Sequence, residues 1–159
     1  MISYVENNKK FNFRVGVILI NPINKKILIQ KKINHPYWLL PGGRVEMLEE
    51  SQKAVIREID EELGLKISSC QIKVLAESFF KLKETTYHEL GFYYQGELKD
   101  DKNLYQEEEE FIKREKEYIF KWERIDNLKK IDFRPQFLVD ILLENDDKIY
   151  HIVEKNLED

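Results

Sequence analysis

The sequence predicts an α/β protein, a mixed β-sheet sandwiched between α-helices. Two kinds of stretch carry this. Several runs rich in β-branched and aromatic residues read as strands, among them FRVGVILI, KILIQKKI, HELGFYYQGEL and YIFKWERI. Two other stretches place apolar residues three and four positions apart, as helices do. Together these elements give a mixed sheet with a helix on each face. A length of 159 residues with 42% hydrophobic residues suits one domain over residues 1–159.

In chain order, residues 1–10 are polar and read as a short lead-in. Residues 13–20 form a buried strand, Asn21-Pro22-Ile23-Asn24 a turn, and residues 26–33 a second strand paired with the first as a hairpin. After the loop His35-Pro36-Tyr37, a short strand at Trp38-Leu39-Leu40 leads into the breaker cluster Pro41-Gly42-Gly43. From about Glu49 to Leu63 there is no Pro or Gly, good helix formers dominate, and Gly64 is a stop signal. Val55, Ile56, Ile59 and Leu63 are its expected buried face.

Residues 66–83 read as strand with a break near 68–71, residues 81–87 as a polar loop, and residues 88–98 as strand. Residues 99–117, with Asp100-Asp101 and the run Glu107 to Glu110, are the least structured reading. Residues 118–125 are a strand and 126–131 a helical turn. Residues 135–143 are a core-packing helix that opens on Pro135 and carries Phe137, Leu138, Ile141 and Leu142. Residues 149–153 form a last edge strand.

The chemistry concentrates in the first helix. Glu58, Glu61 and Glu62 stand at i, i+3 and i+4, so the three carboxylates share one face. Ser51 and Ala54, one and two turns earlier on that face, are small and leave room beside it. Like charges so close repel, and a hard divalent cation relieves the repulsion; oxygen ligands suit Mg²⁺ or Mn²⁺. Arg57 offers a planar fork of donors that can orient a carboxylate or hold a phosphate. Gly42 and Gly43 let backbone approach a metal or phosphate closely. An acidic helix face is ordinarily only solvated surface. Here seven positions agree by identity over 22 residues, and chance agreement at roughly 5–7% usage each is on the order of 10⁻⁸.

Residues 43–65, with Gly43, Glu49, Arg57-Glu58, Ile59, Glu61-Glu62, Gly64 and Leu65, resemble the Nudix box, G-x5-E-x7-R-E-U-x-E-E-x-G-U. The lead-in Trp38-Leu39-Leu40-Pro41-Gly42 is similar to the family as well. The resemblance implies the Nudix fold and a MutT-like pyrophosphohydrolase, which cleaves the diphosphate linkage of a nucleoside diphosphate joined to another moiety, with Mg²⁺ or Mn²⁺ as cofactor. It assigns Glu58, Glu61 and Glu62 as metal ligands, joined by the Gly42 carbonyl. Arg57 would orient the catalytic Glu, with Glu49 as its supporting charge. The general base is either Glu58 or a carboxylate of a later loop, among Glu107 to Glu110, Glu115 and Glu117.

Candidate substrate contacts are Phe79, Phe80, Tyr87 and Tyr37 for a base or sugar, and Arg14, Arg44, Lys81 and Lys83 for phosphate. His35 and Trp38 read as exposed loop and core. Residues 78–86 carry no Pro, no Tyr and no SQPWPFPQS-like array, and the coenzyme A marker ahead of the box is missing too. That leaves a nucleoside triphosphate or another small nucleotide as the default substrate. ADP-ribose or a nucleotide sugar, a dinucleoside polyphosphate, a non-catalytic nucleotide sensor, and an enzyme acting on an RNA 5′ end, which the acidic balance disfavours, are the alternatives.

The net charge of −4, from 26 basic and 30 acidic residues, argues against a broad basic nucleic-acid surface. Cys70 is the only cysteine, which excludes an intrachain disulfide and points to a reducing, cytoplasmic setting. The N-terminal residues carry no long apolar run, so neither a signal peptide nor a membrane partner is expected. A homodimer is compatible with all of this.

Overall fold

The computed structural model describes residues 1–99 and 102–158. Asp100 and Asp101 of the expected acidic segment lie outside the described residues. Among the described residues eight strands and three helices follow in order: β1 (Ser3–Glu6), β2 (Lys9–Leu19), β3 (Ile27–Lys32), β4 (Gly42–Arg44), α1 (Ser51–Leu63), β5 (Ile67–Leu82), β6 (Thr85–Leu98), α2 (Lys102–Tyr105), β7 (Tyr118–Glu123), α3 (Phe137–Glu144) and β8 (Tyr150–Asn156). A 3₁₀ turn, Ile125–Lys130, precedes α3.

The main sheet runs β1-β2-β6-β5-β8, with β4 paired to β2 beyond β1. β2 lies parallel to β6 and β5 parallel to β8, whereas β5 and β6 are antiparallel, so the sheet is mixed as expected. Strand alternation divides the core. Val15, Val17 and Leu19 point to the side packed by Val55, Ile59 and Leu63 of α1. Ile18, Val74 and Ala76 point to the other side, where Leu138, Val139 and Ile141 of α3 close the second core. One helix thus covers each face.

Five expectations about strands and their pairing need correction. The lead-in is a hairpin, β1 against β2, turned by Asn7 and Asn8, both at positive φ as a type I′ turn requires. Strands β2 and β3 do not form a hairpin ladder. They share only the bridge Ile20–Ile27, and β3 pairs with β7 in a separate two-stranded sheet. Residues 38–40 contribute bridges, Leu39 to Gln30 and Trp38 to Phe133, without becoming a strand. The loop expected over residues 81–87 shrinks to the turn Lys83-Glu84 between strands that run on to Leu82 and from Thr85. These strand ends project past the helices. Their residues are mostly only part-buried on either face, so no alternation separates strand from loop there. The expected break near residues 68–71 is a pair of register irregularities inside one continuous β5.

On α1 the buried stripe is turned relative to the expectation. Ala54, Val55, Ile59, Glu62 and Leu63 are inside, while Ile56 is exposed. Ser51 also faces the sheet, where its hydroxyl meets the Tyr94 hydroxyl at 2.7 Å. The flank bearing Ser51, Val55, Glu58 and Glu62 is therefore pressed inward, which takes two of the three acids out of bulk water. Cys70 on β5 is buried beneath α1.

Candidate active site

Arg57 organises the site. Its Nε and Nη2 donate to the two oxygens of Glu49, at 2.8 and 3.0 Å. Nη1 donates to Glu58 Oε1 at 2.9 Å and to Glu61 Oε2 at 3.2 Å, and Nη2 also reaches the Arg44 carbonyl at 3.0 Å. The fork is thereby engaged with three carboxylates and a backbone carbonyl. Glu49 in turn accepts the Glu46 amide at 2.8 Å, which closes the loop between β4 and α1. The guanidinium bonded to Glu49 holds its carboxyl below the usual range, and the same contact raises Arg57 further above its own.

Gly43 and Glu58 fit each other. A Cβ on Gly43 would lie 2.3 Å from Glu58 Cδ, so only glycine leaves room for the carboxylate against β4. At Gly42, φ is +151° and a Cβ would strike the Val15 carbonyl oxygen at 2.1 Å. Burial raises the Glu58 carboxyl, and Arg57 works against that rise.

Glu62 is the unusual member. It is 2% exposed, and burial, with the charge of Glu58 second, pushes its carboxyl up to about 8. Its Oε1 lies 3.4 Å from the Gln30 amide nitrogen, while its Oε2 is buried with no hydrogen-bond partner among the described residues. Glu61 sits on the outer flank with half its side chain exposed. Among the described residues no three carboxylate, imidazole or thiolate groups converge into a closed cage.

These residues suit a hard divalent cation of a particular kind. Of the two inward carboxylates, Glu62 has an orphaned buried oxygen and no ion-pair partner among the described residues, and an open coordination set fits Mg²⁺ or Mn²⁺, which keep waters and take phosphate oxygens. The later loop also touches the site. The amides of Arg114 and Glu115 donate to the Glu62 carbonyl at 3.2 and 3.3 Å, and the Glu115 charge acts on Glu62. Of the loop acids left open by the sequence, Glu115 is the one brought to the helix.

Of the candidate substrate contacts, Arg14 is brought close. It pairs with Arg44 in the β2–β4 ladder, and its charge acts on Glu58, Glu62 and Tyr118. Among the described residues its guanidinium has no hydrogen-bond or ion-pair partner. The Arg44 side chain instead turns to the Met1 sulfur at 3.0 Å. Phe79, Phe80 and Tyr87 are not brought to the acids. They sit near the far tip of the β5–β6 hairpin, Phe79 stacked on His88 and Phe80 on Tyr87. On β6, Tyr87 lies five residues before Phe92, the partner of Val15 beside Gly43, a separation of roughly 17 Å. Tyr37 packs on Arg134 and His35, and Trp38 is in the core between Lys31 and Lys121. Gln30 escaped sequence reasoning. Its signal was a polar residue at a position that alternates with Leu28 toward the inside in KILIQKKI.

With this geometry in place, the family follows. The NUDIX domain matches residues 10–140, and the chain belongs to the NUDIX family. It is 46% identical over 48 residues to a putative 8-oxo-dGTP diphosphatase of Bacillus subtilis, covering 30% of this chain and 32% of that protein. It is 35% identical over 66 residues to an RNA pyrophosphohydrolase of Stutzerimonas stutzeri, covering 42% and 40%. The chain thus spans less than half the length of either relative. The crystal structure of a MutT protein from Methanosarcina mazei superposes with a TM-score of 0.59 at 20% identity, over 87% of this chain and 95% of that one, which bears out the fold.

Proposed function

We propose that this chain hydrolyses a diphosphate linkage in a nucleotide, a nucleoside triphosphate or another small nucleotide first, with Mg²⁺ or Mn²⁺. The observation that carries the reading is Glu62, a buried acid beside a second acid, with one oxygen left unpartnered. Glu58, Glu61 and Glu62, joined by the Gly42 carbonyl, would hold the cation. When bound, it neutralises phosphate charge and acidifies a bound water.

The chain's own residues do the rest. Arg57 and Glu49 fix Glu58 in one orientation, so no reorganisation is needed at the moment of reaction. Glu58, raised by burial, would take the proton of the attacking water. Arg14, whose cation is unengaged among the described residues, faces the acids and supplies charge for the phosphates.

The relative named an 8-oxo-dGTP diphosphatase supports a nucleoside triphosphate. The relative named an RNA pyrophosphohydrolase supports a second reading, a triphosphorylated RNA 5′ end. The test is a hydrolysis screen with Mg²⁺ and Mn²⁺ over nucleoside triphosphates, ADP-ribose, dinucleoside polyphosphates and 5′-triphosphorylated or capped RNA. Glu61→Gln and Glu62→Gln are each expected to abolish turnover while the fold persists. Near-full activity in both variants, or no hydrolysis of any substrate by the unaltered chain, overturns the reading.

A further inference from the structure

We propose that Gln30 is the positioning residue that aims Glu62 at the bound cation, acting from outside the box helix, on strand β3 of the two-stranded sheet. The inference rests on the cation reading above. Gln30 is 1% exposed, at an inward position of β3, two residues after Leu28 of the α1-side core. Its backbone is held on both sides. The amide donates to the Leu39 carbonyl at 2.8 Å and the carbonyl accepts from the Leu39 amide at 2.7 Å, while Phe120 of β7 pairs along the other edge. The side chain therefore leaves a rigid base.

Burying a carboxamide is costly unless its hydrogen bonds are made, and this one is poorly satisfied. Its nitrogen reaches Glu62 Oε1 at a long 3.4 Å, and its Oε1 is unpartnered, as is Glu62 Oε2. An apolar side chain at this strand position would pack with Leu28 and avoid both orphaned oxygens. A polar pair that joins a strand to a helix and is left half-satisfied contributes little to stability. What it does contribute is direction: with Oε1 tethered to Gln30, Oε2 is the oxygen left to face a ligand. Outer partners that hold a ligating carboxylate typically change metal affinity 10–100-fold when removed.

The experiment measures Mn²⁺ affinity of the nucleotide-free protein by electron paramagnetic resonance, alongside thermal melting in metal-free buffer. Gln30→Met, Glu62→Gln and the double variant form a cycle. Gln30→Met is expected to weaken Mn²⁺ binding at least tenfold with little change in melting temperature, and to weaken it no further once Glu62 is Gln. Gln30→Asn keeps the amide but shortens its reach, and is expected to weaken binding in the same direction; it serves if the Met variant does not fold. Unaltered affinity in the Gln30 variants, with or without a lower melting temperature, makes Gln30 a packing residue and overturns the proposal. So does an equal loss in the Glu62→Gln background, which would mean Gln30 does not act through Glu62. If Glu62→Gln alone binds Mn²⁺ as the unaltered chain does, the cation reading falls, and the positioning role with it. Weak binding by Glu62→Gln beside normal binding by Gln30→Met removes the positioning role alone.

Discussion

Glu58 holds its place because Gly43 has no side chain. The nearest atoms to a Cβ at that position all belong to the Glu58 carboxylate, the far end of a flexible side chain. Gly43→Ala is therefore expected to fold, with a stability change of about 1–2 kcal/mol, while the displaced carboxylate cuts kcat by roughly 100-fold. Steady-state kinetics together with melting check this, and unchanged kcat would show that the carboxylate's position is unimportant. At this scale the box was legible because its identities are set by contacts within one short segment: Arg57 to Glu49, Glu58 to Gly43. Gln30 was not legible, because its partner lies 32 residues away and no spacing rule links a strand to that helix. Nor was the split among the acids. Helical spacing put Glu58, Glu61 and Glu62 on one face, but the tilt of α1 on the sheet sends two inward and leaves Glu61 outside.

Among the elements, those with an amphipathic pattern were readable and their pairings were not. The α1 and α3 helices stand within two residues of the expected bounds, because breakers and apolar spacing are local signals. That β3 joins β7 instead of β2 depends on residues about 90 apart, which alternation cannot convey. The β1–β2 hairpin was hidden for another reason. Its faces are mostly exposed, so only the Asn7-Asn8 turn marks it. Both asparagines have positive φ, 45° and 61°, which costs less for glycine. Asn8→Gly is expected to stabilise the chain by about 0.5 kcal/mol, or roughly 1–2 °C in melting temperature. A lower melting temperature would show that the Asn8 side chain does more than turn the chain.

For the molecule as a whole, the buried acid ties stability to pH. The Glu62 carboxyl rises from an ordinary 4.5 to about 8 on folding, so the native state binds its proton more tightly than the unfolded chain does. Its contribution is fully present below about pH 4.5 and is lost as pH rises through about 8. In metal-free buffer, Glu62→Gln is expected to melt higher than the unaltered chain above pH 8, by about 2–5 kcal/mol of stability, with the difference vanishing near pH 4.5. Mn²⁺ at 100 times its dissociation constant should return about 2.7 kcal/mol to the unaltered chain. Parallel melting curves for the two proteins across pH 5–9 would contradict the burial of that proton.

The lone thiol of Cys70 has a practical use. It is 8% exposed under α1, and burial pushes it up to about 11, so both access and ionisation protect it from alkylating reagents. A second cysteine placed at an open position such as Leu48, 98% exposed at the crest of the loop before α1, would react first. Fluorescent or spin labels can thus be attached beside the acids without first replacing the native sulfur.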